Sequence, residues 1–91
     1  MLTLVIYDIT DDELRGRVAS FLKSKGLKRI QKSAFIGELP HSQVRNLEAG
    51  LCLMVKDAKA NIQIYPLTPA SFSKRIVIGQ QINYDDEEYL I

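Results

Sequence analysis

Tryptophan is absent from this chain, histidine and cysteine occur once each, and proline occurs three times. A lone Cys52 excludes an internal disulfide, and together with the lone His41 it falls short of a zinc site, which takes three or four such ligands. No Cys-x-x-Cys pair, Gly-rich phosphate loop or Ser, His and Asp triad order is present. The longest unbroken apolar run, Leu51 through Val55, is far shorter than the ~20 residues of a membrane span. The first residues show neither a basic leader nor a small-residue cleavage site, so a cytoplasmic setting without a membrane is expected. No sign of charge dominates either. Twelve Lys and Arg stand against 11 Asp and Glu, a formal net charge of +1. Any attraction for nucleic acid must therefore come from a local patch.

What is present is ordinary globular material, 46% hydrophobic and 25% charged over 91 residues, enough for one domain. A chain this short buries roughly two thirds of its unfolded surface, so support from a partner subunit is expected early. The domain is read as 1–79, followed by an acidic tail at 80–91 that carries Asp85, Asp86, Glu87 and Glu88 and is expected to be mobile.

Leu2, Leu4, Val5, Ile6 and Tyr7 read as a central strand covered on both faces. Thr10 stands three residues before Glu13, a capping box that predicts a helix over 11–25, with Leu14, Val18, Phe21 and Leu22 on its apolar face and Gly26 ending it. The extended stretch 27–39 exceeds the usual strand length, which predicts two strands reversing near Lys32 and Ser33. Pro40 precedes a second helix at 41–56, whose Val44, Leu47, Leu51, Met54 and Val55 form a stripe with Cys52 read as core. Asn61 to Tyr65 alternates as a half-buried strand, which Pro66 marks as ending or as lying at an edge. Thr68 and Pro69 start a short helical turn, and Arg75 to Gly79 reads as a final strand. Strand, helix, paired strands, helix, strand is the ferredoxin-like βαββαβ order of an α+β sandwich, here with an additional C-terminal strand.

Asp8 is the one acid in the first apolar run. It reads either as a turn-forming residue or, with a second copy supplied by a dimer axis, as a ligand for a hard cation. Arg15, Arg17, Lys23, Lys25, Lys28, Arg29 and Lys32 make the stretch 15–32 basic, in contrast to the acids at 85–88. Guanidinium groups bind phosphate oxygens in pairs, so this stretch is the candidate nucleic-acid patch. His41 reads as a surface residue.

The fragments Tyr7-Asp8-Ile9, Asp11 through Arg17, Arg29 through Phe35, Glu48-Ala49-Gly50-Leu51, Ile64-Tyr65-Pro66-Leu67 and Arg75 through Gly79, in that order, resemble the small CRISPR-associated adaptation protein, the Cas-two family. The resemblance covers nearly all of the chain except the acidic tail. It departs at Ala34, where Val is commoner, and at Ile36, where many members carry an acid. The resemblance implies a homodimer in which the last strand completes the partner's sheet. It also implies Asp8 as the Mg²⁺ or Mn²⁺ ligand, paired with its symmetry mate. Arg15, Arg17, Arg29, Ser33 and Phe35 match positions tied to nuclease activity on RNA or DNA, and Lys32 joins the nucleic-acid-binding set. A second implied role is as the bridge between integrase dimers of the Cas-one family during spacer acquisition. A toxin-type ribonuclease resembling the virulence-associated D group and a non-catalytic ferredoxin-like regulatory domain are the alternatives.

Overall fold

The computed structural model describes residues 1–80, so the acidic run at 85–88 lies outside the described residues. β1 (Leu2–Ile9) alternates as a strand must, with Thr3, Val5, Tyr7 and Ile9 buried on one side. Asp8 on the other side is exposed, and Leu2, Leu4 and Ile6 there are only half-buried. Coverage of both faces is therefore not realised. Both long helices pack on the Val5 side, so neither of them covers the opposite face of the sheet.

Helix α1 (Asp12–Ser24) is capped one residue later than the capping box implied. Asp11, not Thr10, has the extended cap backbone, and its Oδ2 accepts the Leu14 N–H at 2.8 Å. Asp caps at least as well as Thr, and its charge suits the positive end of the helix dipole. At the other end the Leu27 N–H donates to the Leu22 carbonyl and the Gly26 N–H to the Lys23 carbonyl, with Gly26 at φ 88°. This is the Schellman closure, which needs a left-handed residue at that position.

The extended stretch divides into β2 (Lys28–Gln31) and β3 (Ala34–Glu38), reversing at Lys32 and Ser33 as expected. A register shift between Arg29 and Gln31 sets Arg29 opposite Phe35 and Gln31 opposite Ala34. Helix α2 (His41–Met54) buries Leu47 and Leu51. Cys52 is exposed rather than part of the core. One residue beyond Leu51, it is turned about 100° away from the buried stripe. His41 is on the surface, as expected.

β4 (Ala60–Leu67) is longer than the alternation at 61–65 suggested and carries Pro66 within it, which is tolerated because β4 is an edge. The sheet order is β2-β3-β1-β4, antiparallel throughout. Thr68 caps α3 (Pro69–Ser73) by accepting the Ser71 N–H. The expected strand at 75–79 does not form in the single chain, where Ile76, Val77 and Ile78 are exposed. A strand exists only through hydrogen bonds to a neighbour, and this segment takes up neither edge of its own sheet. The core gathers Val5, Tyr7, Ile9 and Phe35 against Leu14, Val18 and Leu22 of α1 and Leu47 and Leu51 of α2.

Two glycines test the packing by different routes. A Cβ on Gly37 would lie 2.6 Å from Leu27 Cδ2 and 3.3 Å from the Gly26 carbonyl oxygen, whereas Gly26 has open space and only its backbone angle to protect. Urea denaturation should show Gly37→Ala losing about 1–3 kcal/mol by overpacking and Gly26→Ala about 1–2 kcal/mol by backbone strain. A Gly37→Ala protein as stable as the parent would contradict the close approach of β3 to Leu27.

Candidate functional site

Two of the arginines singled out in the sequence, Arg15 and Arg29, meet at the C-terminal end of β1, where Tyr7 is the hub. Its N–H donates to the Ser33 carbonyl at 3.0 Å, tying β1 to the β2–β3 turn that carries exposed Lys32. Its ring stacks on Phe35 with centroids 6.2 Å apart. The Arg29 guanidinium carbon lies 4.8 Å from the Phe35 ring centroid. Arg15 reaches the same strand end from α1, donating from Nη1 to the Ile9 carbonyl at 3.0 Å and pairing through Nη2 with Asp12. Burial pushes the Tyr7 phenol above its ordinary pKa of 10.0, while the charges of Arg29 and Arg15 pull it back. Both guanidinium groups thus act on one phenol from two different elements.

Arg29 is unusual among the cations. It is only 8% exposed, and its buried Nε has no hydrogen-bond partner among the described residues. Phe35 is wholly buried, so it reaches the surface chemistry only through Arg29 and Tyr7. Ser33 contributes its backbone carbonyl to the hub. Arg17 is exposed on α1, two positions from Arg15 and therefore about 200° round the helix, so the hub does not include it.

Asp8 follows Tyr7 and leaves the strand on the opposite face, exposed. Its cross-strand partner on β4 is Asn61. Asn61 Oδ1 accepts from Gln63 Nε2 at 3.1 Å, and Gln63 Oε1 accepts from the Tyr65 hydroxyl, a polar ladder along that face. Sequence reading passed over Tyr7 and Asn61 as site residues. Tyr7 was detectable from strand parity beside Asp8, whereas the pairing of Asp8 with Asn61 required the topology.

Among the described residues no group of three or more His, Cys, Asp or Glu is placed to hold a metal. The donor set at Asp8 is one exposed carboxylate with an amide across the strand pair, all hard donors. That fits Mg²⁺ or Mn²⁺ as part of a site, since Mg²⁺ takes one or two carboxylates and fills its remaining positions with water and substrate phosphate.

The family model described as CRISPR associated protein Cas2 matches residues 1–75. A CRISPR-associated endoribonuclease Cas2 from Chloroflexus aurantiacus is 42% identical over 86 residues, covering 94% of this chain and 99% of that one. A CRISPR-associated endonuclease Cas1/endonuclease Cas2 fusion from Thermoproteus tenax is 43% identical over 65 residues. That match takes in 71% of this chain but only 25% of the fusion. A crystal structure of a Cas2 protein superposes with a TM-score of 0.69 at 34% identity, covering 89% of this chain and 88% of that one.

The buried phenol makes stability depend on alkaline pH. Because the folded-state pKa of Tyr7 is raised, the unfolded chain loses this proton first as pH climbs past about 10, and the folded state loses stability from there upward. Urea titrations between pH 9 and 11 should show the parent losing stability more steeply than Tyr7→Phe. Identical slopes would remove the burial of a neutral phenol from the account.

Proposed function

The chain belongs to the CRISPR-associated Cas2 family, and from that premise we propose that it is a nucleic-acid-binding homodimer of spacer acquisition. It bridges integrase dimers of the Cas1 family and carries a metal-dependent phosphodiesterase activity centred on Asp8. The observation that carries this reading is the convergence of Arg15, Arg29 and the Lys32 turn on the strand end that presents Asp8. The Thermoproteus tenax fusion, which joins the two proteins in one chain, supports an integrase as partner.

Asp8 and its copy in a second protomer would hold Mg²⁺ or Mn²⁺, which when bound supplies an activated water and offsets charge on the phosphorane-like transition state. Arg15 and Lys32 provide donors for phosphate oxygens, Arg29 lends its charge from its buried place over Phe35, and Arg17 adds a contact further along α1. Since Asp8 and the Tyr7 hub lie on opposite faces of β1, the carboxylate and the cations of the hub act on different phosphates of one strand. The basic hub anchors the backbone while Asp8 addresses the neighbouring bond. Ser33 and Phe35 serve by holding the hub together. For bridging, the anchoring half of this arrangement is sufficient, because backbone contacts position a duplex without reading its sequence. Family membership leaves the toxin-type and regulatory readings without an observation of their own.

The homodimer follows from the unpaired apolar segment Ile76 to Ile78 and from the helix-free sheet face of Leu4 and Ile6. Residues 75–79 of one copy extend the sheet of the other, which gives the segment the hydrogen-bonding neighbour it lacks in the single chain. Ending the chain before Arg75 should weaken association at least tenfold by sedimentation. Unchanged dimer affinity would exclude the exchange.

Cleavage of RNA and DNA by the purified protein should require Mg²⁺ or Mn²⁺ and disappear in Asp8→Asn, while folding and dimerisation persist. Binding to duplex DNA should weaken with salt, and each of Arg15→Ala, Arg17→Ala and Lys32→Ala should lower the slope of log affinity against log salt by about 0.9. Equal cleavage by Asp8→Asn would sink the proposed chemistry, and wild-type slopes in all three alanine variants would move the patch elsewhere.

A further inference from the structure

Three polar side chains of β4 are linked in one direction, and the direction ends beside Asp8. Asn61, Gln63 and Tyr65 alternate with half-buried Ile62 and Ile64, so all three stand on the face of the sheet away from the two long helices. Across the strand pair Tyr65 stands opposite Leu4 and Gln63 opposite Ile6, side chains that offer no hydrogen-bond partner. The polar groups therefore turn along the strand to one another. Of the three, Asn61 alone meets a polar residue across the pair, Asp8.

A carboxamide has a donor end and an acceptor end, and the ladder assigns them. The Tyr65 hydroxyl donates to Gln63 Oε1, which leaves Gln63 Nε2 for the next step, and Nε2 donates to Asn61 Oδ1 at 3.1 Å. The carbonyl oxygen of Asn61, the end that a hard cation would take, is thus already in use. Its Nδ2, with two N–H groups, takes no part in the ladder. Residues directly opposite in an antiparallel pair have Cβ atoms roughly 4.5–5.5 Å apart, so a donor on Asn61 is within reach of what binds beside the Asp8 carboxylate. The Tyr7 hub with Arg15 and Arg29 lies on the other face of β1, and a phosphate at Asp8 needs a donor from its own face.

We propose that Asn61 is a substrate-binding residue of the Asp8 site. Its Nδ2 donates to a non-bridging oxygen of the phosphodiester that Asp8 addresses, and Gln63 and Tyr65 are positioning residues that keep the amide turned that way. A neutral donor suits the place, because a lysine or arginine there would pair with the Asp8 carboxylate and compete with the cation. Without the ladder the two orientations of the amide have the same shape, and one of them turns a carbonyl oxygen toward the phosphate. The inference rests on the reading of Asp8 as the metal-binding acid and adds the residue that orients the substrate there.

The test uses the full chain, Mn²⁺ as the cation and a labelled single-stranded RNA, with kcat/KM from initial cleavage rates and Mn²⁺ affinity from electron paramagnetic resonance. Asn61 is exposed, so its variants should fold as the parent does. Asn61→Leu, which keeps the size and removes the donor, should lower kcat/KM about tenfold while Mn²⁺ affinity stays within about twofold of the parent's. Asn61→Asp, a better ligand for a cation but no donor for a phosphate, should not recover the activity. Tyr65→Phe should cost about threefold, and adding it to Asn61→Leu should cost nothing further, because Tyr65 acts through Asn61. A fall in Mn²⁺ affinity of about tenfold in Asn61→Leu would make the amide a cation ligand and overturn the inference. Parental kcat/KM in Asn61→Leu, recovery in Asn61→Asp or additive losses in the double variant overturn it as well, and each leaves the Asp8 reading intact. No Mn²⁺-dependent cleavage by the parent, or Mn²⁺ binding unchanged in Asp8→Asn, removes the Asp8 reading and this inference with it.

Discussion

The two-residue period of β1 is the constraint on which the rest of the structure depends. Thr3, Val5, Tyr7 and Ile9 are committed to the helix-covered side, and the same geometry sends Asp8 to the other side. Register then fixes the company each side keeps. Pairing with β3 and β2 lines up Val5, Phe35 and Arg29, while pairing with β4 sets Asn61 beside Asp8. A shift of one residue would exchange the faces, putting the phenol in water and the carboxylate in the core.

Stability and the proposed function share residues on the helix side. Phe35 is wholly buried, Tyr7 stacks on it, and Arg29 lies over the same ring. A large-to-small change at Phe35 therefore costs folding energy on the order of 3–5 kcal/mol as well as whatever it does to Arg29. Loss of activity in such a variant reports on both at once. Asp8, exposed and outside the core, separates the two, because its replacement alters charge without opening a cavity.

The isolated protomer is incomplete in ways that share a physical origin. Among the described residues, one face of its sheet is covered by neither long helix, the Ile76 to Ile78 segment has no strand partner, and Arg29 is buried without an acid. The two long helices both lie on one face of the four-stranded sheet.

The sequence by itself determined the element order from β1 to α3, though not the strand expected at 75–79, together with the Gly26 helix end, the Lys32 and Ser33 reversal and the Thr68 cap, because these follow from local backbone preference and short-range periodicity. It also marked Asp8, Arg15, Arg29 and Lys32 as the charged residues to watch. Local pattern misled at Thr10, where two adjacent capping residues compete, at Cys52, where one helical step separates core from solvent, and at β1, whose apolar run reads the same whether one face is covered or two. Only the tertiary structure decided that Tyr7 joins Arg15 and Arg29, that Arg29 is buried rather than displayed, and that Asp8 faces away from both. Those facts depend on strand register and on which face the helices cover, and both are set by contacts between residues far apart in the chain.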